Sequence, residues 1–266
     1  TPVPTATPAP TATPTPTPSP SEPFTFLMNF GSPGDGSSQF GHTHRIAVDT
    51  AGDLYVTDGS GNGYLTSRVQ KFDSDGNFLL QFGAYGSGLG HMTGVSDVAI
   101  APDGRVYASS YQGINGNEIQ IFDASGNPLD QMDKYSSRGI AINQVGDVFV
   151  GGGSEMTKFV SHEIATEWDA GDDLLFDVEV DGEGYIYVAD GRSKRVKRFD
   201  SGGNFIFEFA INDHPSCPNG QPMGLSFDSN NDLWVVCHDG IGFMIFTKNG
   251  EFLKEYVSQG NGDGEF

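Results

Sequence analysis

A chain of 266 residues with 36% hydrophobic and 12% aromatic content carries enough apolar material for one large domain or two small ones. Fourteen Lys and Arg against 35 Asp and Glu give a formal charge of −21, which repels phosphate backbones and anionic headgroups; nucleic acid and membrane surfaces are thereby excluded as expected partners, and soluble cations are favoured. No apolar run approaches the ~20 residues that span a bilayer, and 37 glycines without a helical period anywhere predict short strands joined by tight turns.

Residues 1–23, "TPVPTATPAPTATPTPTPSPSEP", hold 9 of the 15 prolines. Dense proline fixes φ and removes N–H donors, so this segment is expected to be an extended polyproline-II stalk outside any core. Thr/Pro tracts are also the usual substrate of O-glycosylation. Thr5, Thr7, Thr11, Thr13, Thr15 and Thr17 are the expected glycan sites, and the protein is expected outside the cell or on its surface. No Asn-x-Ser/Thr occurs. Without a starting Met or a signal-peptide pattern, the sequence reads as a processed or excised piece of a longer precursor.

From residue 24 to residue 266 one phrase recurs. An apolar first strand ("RIAVD" 45–49, "SDVAIA" 96–101, "RGIAIN" 138–143, "FDVEVD" 176–181, "MGLSFD" 223–228) is followed by a turn with Gly52, Gly104, Gly146, Gly184 or Asn231. Such turns need positive φ, which Gly and Asn tolerate. A second strand ("DLYVTD", "RVYASS", "DVFVGG", "YIYVAD", "DLWVVC") and a third ("RVQKFD", "EIQIFD", "MTKFVS", "RVKRFD", "GFMIFT") come next. Hairpins at Gly76, Gly126, Gly203 and Gly250 then lead to the fourth strands "FLLQFG", "PLDQMD", "IATEWD", "FIFEFA" and "FLKEYV"; the third repeat lacks this Gly. With Asp49, Ala101, Asn143, Asp181 and Asp228 equivalent, the spacings are 52, 42, 38 and 47 residues, the length of propeller blades.

The phrase resembles the NHL repeat, most closely in the first and fourth copies. The resemblance covers residues 24–266 and implies an all-β fold, a β-propeller of four-stranded blades around a channel, with five full repeats here. In that family the Arg opening the third strand pairs with the Asp ending the second, which maps onto Arg68 with Asp58 and Arg195 with Asp190. These pairs are expected to hold loops rather than form a site.

The fourth-strand phrase also precedes the first repeat, through Phe24, Phe26, Met28 and Phe30, leaving one outer strand without a blade. Three outcomes are open: a six-bladed ring completed by further chain, a ring of five, or addition of this strand to a neighbouring copy, since unpaired strands template association. The last, joined to the stalk, predicts head-to-tail assembly with copies of itself.

His42, His44, His91, His214 and His238 fall in loops on one propeller face, and His162 on the other. NHL-like lyases with peptidylglycine or macrolactone substrates use histidines on this face, some to hold a metal. His44, His91 and His238 are therefore metal candidates, although their unequal places in the repeats argue against convergence on one ion. Zinc is the ion such residues would take. Calcium is suggested by the acidic turns "DSDGN" (73–77) and "DGSGNG" (58–63), neither of which fits a calcium-loop motif. No cofactor is predicted beyond these. Cys217 and Cys237 lie on the same face of the fifth blade, where a disulfide is favoured over two free thiols in an oxidising setting. The basic cluster Arg192 to Arg198 reads as a salt-bridged edge strand.

These features together predict a non-enzymatic structural or adhesive propeller, glycosylated on its stalk and assembling into a filament or surface layer. A lyase using the histidine-bearing face is the second reading, and a carbohydrate- or peptide-binding module the third.

Overall fold

The structure, a computed structural model, describes residues 27–59, 66–110, 118–134, 137–171, 174–212, 214–238 and 240–257. The expected stalk, its threonines, Phe24 and Phe26 lie outside the described residues. Among those described there is no helix, so none is long and apolar enough to cross a membrane.

Five four-stranded antiparallel sheets follow the five repeats and are arranged as a β-propeller. Blade 1 comprises His42–Val48, Leu54–Gly59, Arg68–Phe72 and Phe78–Phe82; blade 2, Val95–Ile100, Val106–Ser110, Glu118–Phe122 and Pro128–Asp133. Blade 3 comprises Gly139–Ile142, Val148–Gly152, Glu155–Val160 and Glu163–Asp169. Blade 4 is built from Leu175–Val180, Ile186–Asp190, Arg195–Phe199 and Phe205–Ala210, and blade 5 from Pro222–Phe227, Asp232–Cys237, Gly242–Thr247 and Phe252–Val257. The turns between first and second strands take the positive φ expected of them, from +64° at Asn231 to +88° at Gly52 and Gly146.

Alternation along each strand sends one set of side chains toward the preceding blade and the other toward the following one. Tyr55, Val69 and Phe82 of blade 1 pack on Val98, Val106, Ala108 and Phe122 of blade 2. The same positions recur as Tyr107, Ile119 and Met132 against blade 3, and as Tyr187 and Val196 against Leu225, Leu233 and Val235 of blade 5. The core is thus a set of interblade layers rather than a single centre.

One contact punctuates these layers at the rim. The last aromatic of each fourth strand lies across the hairpin glycine of the following blade, where a Cβ would have no room: at Gly126 it would stand 2.7 Å from Phe82 Cβ, at Gly203 2.7 Å from the Trp168 ring, and at Gly250 2.6 Å from the Phe209 ring. All three glycines also have positive φ. Blade 3 departs from the rule: Met132 takes the aromatic's place, and its hairpin carries Ser161 and His162, with φ of +50° and +68°.

Residues 27–30 are not in a strand, contrary to the expectation for Met28 and Phe30. Phe30 instead packs on its own chain, with its ring 4.9 Å from that of Phe72 and over Gly76. A short parallel pairing of Ser32–Pro33 with Gln39–Phe40 then leads into blade 1.

Candidate functional site at the channel mouth

The first strands line the channel, and the position four before the reference residue is Arg45, Asp97, Gly139, Asp177 or Gly224 in the five blades; Arg45, Asp97 and Asp177 line the channel cavity. The Asp97 carboxylate accepts from Val98 N–H (2.7 Å) and reaches blade 3 at Ile140 N–H (2.9 Å). Asp177 does the same between blades 4 and 5, accepting from Val178 N–H at 2.9 Å and Leu225 N–H at 2.7 Å. Each ties its blade to the next.

Arg45 crosses from blade 1. Its Nε lies 3.5 Å from Asp177 Oδ2, and its Nη2 donates to the carbonyl oxygens of Phe176 and Met223. Arg45, Asp97, Asp177 and Glu179 line a channel cavity of 410 Å³. One guanidinium faces the buried carboxyl groups of Asp97 and Asp177 and the half-buried one of Glu179, and loss of solvation pushes all three upward. Glu179 rises to about 8 through burial first and its acidic neighbours second. The channel therefore retains protons at neutral pH.

Above the channel stands a histidine pair. A register shift between Thr43 and Ile46 brings His44 back toward His42, and His42 Nδ1 lies 2.9 Å from His44 Nε2, the rings edge to face at 4.4 Å. Burial, then the charges of His42, Arg45 and Arg138, lowers His44 to about 4. His44 is consequently an uncharged imidazole across the physiological range, within the field of two guanidinium groups. An adjoining cleft of 360 Å³ runs from Thr43, His44 and Ile46 to Trp234, Val236 and Phe243 of blade 5.

The remaining sequence candidates are dispersed. His91 is exposed, with Nδ1 3.1 Å from Leu89 O. The backbone N–H of His238 donates to Gln221 O, and His214 stacks on Phe252 at 4.5 Å. Among the described residues no group of three or more His, Cys, Asp or Glu is arranged to hold a metal, so His44, His91 and His238 form no ligand set there and no step is derived through an ion. Asp73 caps its own turn, accepting from Asp75 and Asn77 N–H.

Asp58 is fully buried and meets Arg68 Nε at 2.9 Å. In blade 4 the expected partner is replaced: Asp190 pairs with Lys197 at 2.7 Å, and Arg195 turns to Glu208 at 3.2 Å. The reason lies at one position, since Lys197 stands where blade 1 carries the neutral Gln70, and a cation there competes for the carboxylate. Cys217 and Cys237 are disulfide-bonded.

The first-strand charges Arg45, Asp97, Asp177 and Glu179 were not singled out from the sequence, although charged residues inside otherwise apolar strands were a readable signal. A second polar cluster also escaped notice, on the opposite face. His162 Nδ1 contacts Asp130 at 2.9 Å while its Nε2 faces the Tyr107 hydroxyl at 3.0 Å and Arg105 at 3.2 Å.

No family model matches the chain, and no curated protein does. Solved structures do. A streptogramin B lyase aligns at 17% identity with a TM-score of 0.62, over 81% of this chain and 68% of that one. A catalytically inactive histidine-to-alanine variant of virginiamycin B lyase from Staphylococcus aureus, with quinupristin, aligns at 17% identity and 0.61, over 82% and 71%. A gluconolactonase from Xanthomonas campestris aligns at 20% and 0.57, over 73% and 68%. These neighbours are enzymes, a finding that corrects the expectation of a non-enzymatic adhesive filament. At this level of identity the likeness shows the fold alone: among the described residues the chain forms a β-propeller with five four-stranded blades.

Proposed function

We propose that the chain is an NHL-type propeller enzyme that opens a cyclic ester at the channel mouth, with His44 as the base. The observation that carries this reading is the His42–His44 pair, in which burial and neighbouring cations keep His44 uncharged. Only an uncharged imidazole can take a proton from substrate or water. Arg45 and Arg138, whose charges depress His44, are the groups able to stabilise negative charge as an ester bond breaks. The similar solved structures support the reading, since they include lyases and a gluconolactonase and one is inactivated by loss of a histidine.

The test is incubation of the chain with quinupristin and with gluconolactone, followed by product mass. Elimination leaves the mass of a cyclic ester unchanged, whereas hydrolysis adds one water. His44→Ala is expected to slow turnover by about 10²-fold or more with unchanged circular dichroism. Equal turnover by that variant, or no turnover of either ester, would remove the proposal. A secreted or surface location fits the disulfide, and the Thr/Pro segment with O-linked glycans would hold the enzyme away from its attachment.

A further inference from the structure

The repeat carries a polar pin that blade 2 has lost. In blade 1 the Tyr55 hydroxyl donates to Asp49 at 3.2 Å, and Lys71 lies 3.4 Å from the same carboxylate. In blade 4 the Tyr187 hydroxyl reaches Asp181 at 3.3 Å, and Arg198 approaches that carboxylate to 3.6 Å. In blade 5 the Trp234 indole donates to Asp228 at 3.2 Å. Blade 2 keeps the aromatic, Tyr107, but Ala101 stands in place of the aspartate. Ile121 is paired with Tyr107 where Lys71 and Arg198 are paired with Tyr55 and Tyr187. A methyl group has replaced the carboxylate, so the Tyr107 hydroxyl must find its partner elsewhere.

That partner comes from blade 3. The Tyr107 hydroxyl meets His162 Nε2 at 3.0 Å, and His162 Nδ1 meets Asp130 at 2.9 Å. Burial pushes the Tyr107 hydroxyl up, so it keeps its proton and donates; Nε2 then accepts, and Nδ1–H donates to Asp130. Ser161 and His162 both have positive φ, +50° and +68°. Two-residue hairpins of that kind favour Asn and Gly, so two other L residues there hold strain that the turn itself does not require. Around the His162–Tyr107 contact lies a cavity of 480 Å³, within the range of small-ligand clefts, about 300–1,000 Å³. Tyr107, 1% exposed, is its buried end, and Arg105 lies beside it, with Nε donating to Asp103 at 2.7 Å and Nη1 3.2 Å from His162 Nε2. No described residue accepts from Arg105 Nη2. Val145 and Val160 of blade 3 form an apolar part of the wall and are 81% and 41% exposed. The Val145 position is Ala51, Asp103, Glu183 and Asn230 in the other blades, so the turn does not call for an apolar residue.

We propose that the cavity between blades 2 and 3 is a binding site for a neutral sugar unit, whose hydroxyls meet Arg105 Nη2, the Asp103 carboxylate and the Gln144 amide and whose C–H face lies on Val145 and Val160. The charges of the wall are already matched, Arg105 by Asp103 at 2.7 Å and Asp147 by Lys158 at 2.8 Å. A charged ligand finds no uncompensated counter-charge there and would give up its hydration for little return. A ring with hydroxyls on its edge and C–H groups on its face meets fixed donors and acceptors on one side and two valines on the other. The site lies on the face opposite the histidine pair and does not rest on the proposed activity.

The experiment titrates the whole chain with glucose, galactose and mannose, each beside its uronic acid and its 2-amino counterpart, and follows the imidazole signals of the histidines by NMR. At least one neutral sugar is expected to bind at about 1 mM, shifting the His162 signals and leaving those of His42 and His44 in place. Its two charged counterparts should bind about tenfold more weakly. Val145→Asp and Arg105→Lys should each weaken binding about tenfold, the second because an ammonium keeps the charge and loses the forked donors. Acidic residues already stand at the Val145 position in blades 2 and 4, so Val145→Asp is expected to melt with the parent chain. His44→Ala should bind the sugar as the parent does, which separates this site from the proposed active site. Binding unaltered by Val145→Asp and Arg105→Lys, or lost in His44→Ala, would overturn the proposal. So would tighter binding of a charged counterpart or of end-blocked trialanine at His162, or no binding of any neutral sugar at about 50 mM.

Discussion

At the scale of single residues, the channel sets charges against burial, and pH decides the balance. Glu179 titrates near 8 in the folded chain, above an ordinary glutamate near 4.5. The folded state keeps a proton that the unfolded state releases, so this contribution is complete below about 4.5 and is lost as pH rises to 8. Glu179→Gln is expected to remove that loss, raising the urea midpoint at pH 8.5 while leaving it nearly unchanged at pH 5. His44 acts in the opposite sense. With a folded value near 4 it resists a proton that the unfolded chain accepts, so stability rises with pH between about 4 and 6.5. In the activity proposed above, the acid limb attributable to His44 should accordingly fall near 4 instead of near 6.5. Asp190 offers a further comparison. Lys197→Met leaves a fully buried carboxylate without its cation and should cost about 3 kcal/mol or more in chemical unfolding. Arg195→Ala removes a half-exposed ion pair and should cost less than about 1 kcal/mol.

At the scale of elements, the hairpin glycines and the first-turn glycines look alike in sequence and differ in what surrounds them. Gly104 has φ of +83° and nothing within 4 Å of a built Cβ, so Gly104→Ala should cost only the conformational term, about 1 kcal/mol. Gly126 has φ of +81° and Phe82 at 2.7 Å, so Gly126→Ala adds overpacking and should cost about 2–4 kcal/mol. Thermal unfolding of the two variants side by side measures the difference. The blade boundaries were legible because period-two alternation and positive-φ turns are local properties. The pairing of Asp190 was not, because it depended on whether Arg195 or Lys197 came nearer in space. His162 was legible only as a loop residue: its contact with Tyr107 crosses from blade 3 to blade 2, a distance of 55 positions in the chain.

At the scale of the whole molecule, a propeller distributes its core over successive joints, so each blade depends on its neighbours. The Cys217–Cys237 disulfide closes a separation of 20 residues in blade 5. Reduction should lower stability by about 3 kcal/mol in the chain-entropy account, and hydrogen exchange should place the loss in residues 214–257 before other blades are affected. A loss spread evenly over all five blades would instead show that the ring unfolds as one unit.

The sequence by itself determined the repeat, its length, the four strands in each copy, the turn glycines and the residues of the disulfide, because each follows from alternation, from φ or from spacing along one chain. Only the tertiary structure decided that Arg45 meets Asp177 across the channel, that His42 and His44 converge while His91 and His238 stand apart, and that Phe30 covers Gly76 instead of joining a strand. Those outcomes depend on how blades are set around an axis. Residues more than a hundred positions apart become neighbours there, and no local pattern records which ones.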